Sequence, residues 1–249
     1  MATYPTAALI TGSGTRVGAF VAKHLAAQGC DIALHYRNSK EAAEETAAVI
    51  RSAGRKAVLL QGDLTDPART SALMSEARSA LGEINCLINN ASVFEKDGLH
   101  NFTHENFVTH FAVHAKAPLI LIRDFAAQLG KDSKGSIFNL TDGMTGWSMS
   151  DNFLSYSLSK MALANITQLL ARNLAPRIRI NTIAPGPTIP GAQDKPETFS
   201  KLKKILPLAL VSNPQEICDA IDYLFKAESV TGQTIQLNGG IQTLLSMHE

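Results

Sequence analysis

Apolar residues along this chain fall into two alternating patterns. Short apolar runs at Ala7 to Thr11, Ile32 to His35, Ala57 to Gln61, Cys86 to Asn89, Ser136 to Leu140, Arg179 to Ile183 and Thr234 to Leu237 have the length of buried strands. Between them, Val17 to Gln28, Lys40 to Ala53, Pro67 to Leu81, His104 to Leu129, Asn152 to Leu174 and Pro214 to Phe225 space their apolar side chains at helical period. Parallel strands need crossover connections. The alternation therefore predicts an α/β fold, a doubly wound parallel sheet of about seven strands with helices on both faces. Ser39 is placed to cap the second helix, Gly29 and Gly54 to stop the first and second, and Asp66-Pro67 to start the third. No composition break, linker or repeat divides the chain, which reads as one domain over residues 1–249. Its irregular stretch, Ala184 to Leu206, holds four prolines and then a helical Phe199 to Ile205. Loops of that length in compact domains usually serve a site, so residues 187–206 are expected to form a flap.

Composition narrows the function. The 249 residues carry 23 basic and 22 acidic side chains, a formal charge of +1, which argues against a nucleic-acid partner. Lys201, Lys203 and Lys204 read as a solvated helix face. With 45% hydrophobic residues the chain is not disordered, and its length supports a core without staples. Cys30, Cys86 and Cys218 are odd in number and show no C-x-x-C spacing, so inert thiols in a reducing compartment are expected. Met1 to Thr6 lacks the pattern of a secretory leader. Ser229 to Met247 is uncharged but studded with polar residues, unlike a membrane helix. A soluble cytoplasmic protein acting on a small molecule is the expectation, with no membrane partner.

Two segments carry candidate chemistry. Thr11 to Gly18, Thr-Gly-Ser-Gly-Thr-Arg-Val-Gly, follows the first strand and opens the first helix. Glycines there let the backbone approach a pyrophosphate, whose charge the helix amino terminus stabilises. A plain tight turn would use the same residues, but the position favours a dinucleotide. After the second strand an acid would hold the ribose hydroxyls of NAD; the chain instead has His35-Tyr36-Arg37-Asn38-Ser39. Arg37 and Ser39, with Arg16, suit a ribose phosphate and so NADPH, the alternative being a solvated turn. Further on, Tyr156 and Lys160 share one helix face after the fifth strand. An ammonium there is expected to lower the phenol pKa toward working pH and make Tyr156 a general acid. Tyr36 and Lys40 repeat the spacing, but Tyr36 ends a strand. His110 and His114 are four apart with neither a following glutamate nor a third ligand, so no metal is expected.

The glycine turn, Asn89-Asn90-Ala91, Tyr156 with Lys160, Pro185-Gly186, and Thr231-Gly232-Gln233 leading to Gly239-Gly240 together resemble the short-chain dehydrogenase/reductases over residues 7 to about 240. The resemblance implies a Rossmann-type fold, an NADP-dependent oxidoreductase and a homotetramer. It also implies nucleotide contacts from Gly12, Gly14, Arg16, Val17 and Gly18; from His35, Tyr36, Arg37, Asn38 and Ser39; from Asp63 and Leu64; from Asn90, Ala91 and Ser92; from Pro185, Gly186 and Thr188; and from Tyr156 and Lys160. Departures from the common pattern sharpen this. Arg16 replaces a glycine, Ser92 replaces another, and the usual serine upstream of Tyr156 gives way to Asp142 on a slightly longer loop. These features resemble the pteridine reductases, including bacterial dihydromonapterin reductases, in their T-G-x-x-x-R-x-G, H-Y-x-x-S, N-N-A-S-x-F and D-x-M segments. That resemblance implies NADPH-dependent reduction of a dihydropterin or dihydrofolate. Asp142 and Tyr156 would deliver the proton, Phe94 would stack on the ring, and Met144 and Arg16 would touch substrate. His114 stands where the family has an asparagine holding a water that links Lys160 to solvent; histidine can also hold water, so the resemblance implies His114 as a catalytic residue in an altered form of that relay. Phe94 as a core aromatic and Asp142 as a turn residue are the plainer readings. A carbonyl or 3-oxoacyl reductase on the same fold is the alternative function, although a carboxylate beside Tyr156 would repel a developing alkoxide.

Overall fold

The computed structural model describes residues 4–145, 152–190 and 196–243. In chain order the elements are β1 (Ala7–Ile10), α1 (Arg16–Ala27), β2 (Asp31–Tyr36), α2 (Lys40–Ser52), β3 (Ala57–Gln61), α3 (Pro67–Leu81) and β4 (Cys86–Asn89). There follow α4 (His104–Phe111), a π-helical turn (Ala112–Lys116), α5 (Ala117–Gln128), β5 (Gly135–Leu140), α6 (Leu154–Leu174), β6 (Ile178–Pro185), α7 (Pro196–Ile205), α8 (Pro214–Lys226) and β7 (Thr234–Leu237). The strands form one seven-stranded sheet in the order β3-β2-β1-β4-β5-β6-β7, every pairing parallel. This is the doubly wound Rossmann-type sheet that the alternation predicts.

Because the central strands are buried on both faces, successive side chains feed two cores. Ala8 and Ile10 point into one with Leu25, Leu34 and Ile221, while Ala7 and Leu9 point into the other with Leu73, Leu121 and Phe125. The three cysteines are free and buried, and burial pushes the Cys218 thiol up to about 12 and the other two higher still, consistent with inert thiols. Among the described residues no helix is long and apolar enough to cross a membrane.

Boundary chemistry holds in most places. Gly29 and Gly54 adopt φ of +97° and +76° at helix ends, and the Asp66 carboxylate accepts from the Ala68 and Arg69 N–H groups. Ser39 does not cap: it precedes α2 at φ −95°, ψ 60°, and its hydroxyl makes no cap bond. The expected helix His104 to Leu129 is interrupted. Pro118 has no N–H for the His114 carbonyl, and the Ala117 N–H reaches back five residues to Ala112, which widens the turn. α6 starts at Leu154 rather than Asn152, because the backbone at Asn152 and Leu154 bonds to Asp97 instead.

Candidate active site

The carboxyl ends of β1, β4, β5 and β6 lie side by side in the sheet, and the glycine turn follows β1 directly. Gly12 sits at φ +64°, where a Cβ would come within 2.8 Å of the Ala91 Cα; a Cβ on Gly18 would meet the Gly12 carbonyl at 2.3 Å. The Asn90 amide donates to the carbonyls of Thr11 and Gly12 at 2.8 and 3.0 Å, so the turn is braced against the Asn90-Ala91-Ser92 segment. Gly14 packs with its Cα beside Ser39. Val17 is partly buried against the core under α1.

His35 is placed beneath the turn, not on its open side. Its Nδ1 accepts from the Gly12 N–H at 3.1 Å and its Nε2–H donates to the Gly62 carbonyl at 3.1 Å, while burial lowers its pKa to about 4. It is a neutral strut between β1 and β3. Tyr36 is likewise buried, whereas Arg37 and Asn38 are exposed and Ser39 half-exposed at the end of β2, with no carboxylate among them. Asp63 accepts from the Thr65 N–H and hydroxyl, which with the Arg37 charge holds its pKa down; Leu64 beside it is buried.

Tyr156 and Asp142 form a hydrogen-bonded pair. The Tyr156 phenol donates to Asp142 Oδ2 at 2.7 Å, and Asp142 Oδ1 accepts from the Met144 N–H at 2.7 Å. Burial and then the Asp142 charge push the Tyr156 pKa well above its usual value, and burial raises that of Asp142. This corrects the expectation that Lys160 lowers the phenol pKa. The Lys160 ammonium lies 5.9 Å from the ring centroid and donates to the Leu140 carbonyl at 2.9 Å, and burial brings its own pKa down to about 8. Asp142 thus bonds both its own turn and the Tyr156 phenol. Residues 146–151 of the loop between Asp142 and Tyr156 lie outside the described residues.

His114 carries the second correction. Its Nε2 accepts from the Val93 N–H at 3.2 Å, so the ring proton is on Nδ1, 2.7 Å from the Ser159 oxygen; that hydroxyl in turn donates to the Tyr156 carbonyl. The Ser92 hydroxyl lies 3.0 Å from the same Nε2 and within reach of the phenol. Both ring nitrogens are thus engaged by protein groups, and burial with the Lys160 charge pushes the imidazole pKa far down. His114 is a neutral brace for Ser92 and Val93 rather than a holder of water. His110 is tied in the same way, donating from Nδ1 to the Asn106 carbonyl and accepting at Nε2 from the Glu95 N–H.

Phe94 is 56% exposed, which rules out a core aromatic. One face stacks on Phe153 at 4.3 Å, and the ring meets Tyr156 edge-on at 4.7 Å. Sequence reasoning missed the residue that sets this up. Asp97, buried, accepts from the Ser155 N–H at 2.9 Å and from the Asn106 amide at 2.9 Å, while its backbone bridges to Phe153. It supplies the helix cap that Phe153 cannot. Asn238 was missed too: its amide donates to the Gly143 carbonyl at 2.9 Å and ties the Asp142 turn to β7. No local pattern marks either residue, since the Asp97–Ser155 and Asn238–Gly143 bonds span 58 and 95 positions.

Arg16 and Met144 make contacts within the protein. Arg16 donates to the carbonyls of Ile189 and Pro190, and Met144 is buried with Leu206 and Ile241. Pro185 ends β6 and Gly186 follows it, and the Thr188 hydroxyl donates to the Gly186 carbonyl at 2.8 Å. Residues 191–195 of the flap lie outside the described residues.

A family model described as enoyl-(acyl carrier protein) reductase matches residues 13–242. An uncharacterized oxidoreductase of Methylorubrum extorquens is 30% identical over 94% of this chain and 97% of its own length. This chain belongs to the short-chain dehydrogenase/reductase family. Among other members of that family, the 3-oxoacyl-[acyl-carrier-protein] reductase FabG of Staphylococcus aureus is 28% identical over 94% of this chain and 97% of its own. The crystal structure of FolM alternative dihydrofolate reductase 1 from Brucella canis complexed with NADP superposes with a TM-score of 0.90 at 37% identity, covering 96% of this short-chain dehydrogenase/reductase and 94% of that chain.

Proposed function

We propose that this oxidoreductase is an NADPH-dependent pteridine reductase that converts a dihydropterin or dihydrofolate to its tetrahydro form. The observation that carries the reading is the Asp142–Tyr156 pair at 2.7 Å, both groups held toward their protonated forms, beside a ring, Phe94, left open to stacking. The similarity to an alternative dihydrofolate reductase bound to NADP supports it.

The turn suits a dinucleotide: Gly12 and Gly18 let it pack tightly against Ala91 and Asn90 just ahead of the α1 amino terminus, whose N–H groups would favour the pyrophosphate. The turn and Asn90 would hold the pyrophosphate, with Arg37 and Ser39 at a ribose phosphate and Lys160 adding positive charge. When bound, the reduced nicotinamide supplies the hydride. Reduction of a ring imine also needs a proton at nitrogen, and the Asp142–Tyr156 pair holds one at a buried oxygen. Phe94 orients the ring, and Asp97 and His114 hold Phe94 and Tyr156 in place.

The FabG relatives favour a second reading, reduction of a 3-oxoacyl thioester. NADPH oxidation measured with dihydrobiopterin, dihydromonapterin, dihydrofolate and an acetoacetyl thioester separates the two: pterin turnover is expected, and turnover of the thioester alone would overturn the pteridine assignment. We further infer a homotetramer, supported by the exposed Leu158, Met161 and Leu169 of α6 and Val108 and Leu119 of the preceding helices. A cytoplasmic setting is in keeping with the three free thiols.

A further inference from the structure

β2 outruns β1 on one side while keeping level with β3 on the other, and the residue at the overhang is His35. The β1–β2 register ends at Ile10 opposite Leu34, whereas β2 and β3 continue together through His35 opposite Leu60 and Tyr36 opposite Gln61. The glycine turn therefore leaves β1 beside a stretch of β2 that β1 no longer pairs. His35 holds it there twice over. Its backbone carbonyl accepts from the Ser13 N–H at 2.9 Å, and its Nδ1 accepts from the Gly12 N–H at 3.1 Å. With the Thr11 N–H on the Ile88 carbonyl, three successive donors of the turn are taken up inside the protein. The N–H groups at the start of α1 are the ones left for an anion.

The other edge of the ring faces β3. Nε2–H donates at 3.1 Å to the carbonyl of Gly62, the residue after β3, whose own N–H donates to the Tyr36 carbonyl at 3.0 Å. Asp63 and Leu64 follow directly. The sheet order β3-β2-β1 sets these segments in a line. With the pyrophosphate at the turn after β1 and the ribose phosphate at the end of β2, the segment after β3 falls at the adenosine end. One imidazole, 2% exposed, thus ties the two ends of that line together. A neutral imidazole suits the task because it presents an acceptor and a donor at a fixed separation on a rigid ring.

We propose that His35 is a positioning residue for the cofactor, a spacer of fixed length that sets the distance between the glycine turn and Gly62–Leu64 so that one dinucleotide spans both. It acts from beneath and touches neither phosphate nor base. The proposal rests on the placement of NADPH along these strand ends and not on the choice of pterin.

The test uses the full chain and two variants that each keep one end of the strut. In His35→Asn the amide oxygen can stand in for Nδ1 toward Gly12 but does not reach Gly62; in His35→Gln the amide can reach Gly62 in place of Nε2 but leaves the Gly12 N–H unpaired. Deuterium uptake is followed without nucleotide over residues 11–18 and 60–66. Calorimetry at neutral pH gives the affinity for NADP+, which spans both segments, and for adenosine 2′-monophosphate, which covers the adenosine end alone. Both variants should stay folded, with Tm lower by about 3–8 °C. Uptake should rise over 11–18 in His35→Gln and over 60–66 in His35→Asn. In His35→Gln, NADP+ should bind about five- to twentyfold more weakly while the fragment stays within about twofold of the parent. In His35→Asn the loss for NADP+ should again exceed the loss for the fragment. A role in folding alone would lower Tm and leave NADP+ affinity within about twofold of the parent. That result, equal losses for the two ligands, or uptake rising alike over both segments in each variant would overturn the proposal. Uptake is read without nucleotide and binding without substrate, so a failed pteridine assignment leaves both readouts standing.

Discussion

Asp142 and Tyr156 are neighbours only because a carboxylate and a phenol fourteen positions apart meet at the end of β5, and their value lies in the proton they share. Asp142→Asn keeps the shape and a hydrogen bond but has no acidic proton, so kcat should fall by about 10²- to 10⁴-fold while NADPH affinity, read by fluorescence titration, is retained. Lys160 sets the upper limit of pH. With its pKa lowered to about 8, it is charged below that value and neutral above, so kcat/KM should decline as pH rises through about 8. His35 sets a lower limit on stability. Its pKa is about 4 in the folded state against about 6.5 for a solvated imidazole, so the unfolded chain binds more protons between these values. Stability should therefore drop as pH falls from about 6.5 to 4, by about 3 kcal/mol in all, in urea titrations at stepped pH. His35→Asn should flatten that slope. The motif residues are legible in sequence because short-range patterns carry them. The direction of the Tyr156 shift is not, because it depends on burial and on a carboxylate that the fold brings in from the turn after β5.

At the scale of elements, the alternation of apolar runs and helical spacing places all seven strands within two residues of their ends. Departures come where a partner from far along the chain replaces a local signal. α6 has no cap of its own, and Asp97 supplies it. Asp97→Ala should destabilise the fold by about 1–2 kcal/mol, the cost of a lost cap, visible as a lower urea midpoint. It should also raise KM for the ring substrate, because the same aspartate seats the Phe94 segment against Phe153. Ser39 shows the converse: a residue of capping type at a helix start that makes no cap bond.

For the whole molecule, sheet order follows from parallel crossovers and so is readable, whereas the assembly depends on faces that a sequence does not label. If α6 carries an interface, Leu169→Glu, at a residue 73% exposed, should lower the mass in light scattering and leave the isolated chain folded by circular dichroism. The wide turn at Ala112–Lys116 has a consequence of another kind. A π turn holds one residue more than the α turn it replaces, so what it stores is a count of residues and not a particular side chain. Removing Ala115 alone would take out the extra residue, and although Pro118 would still leave one carbonyl without its N–H, the loss would swing His110 about 100° around the axis relative to α5. No exchange of one amino acid for another in this segment can reproduce that rotation, which makes chain length here a functional parameter in its own right.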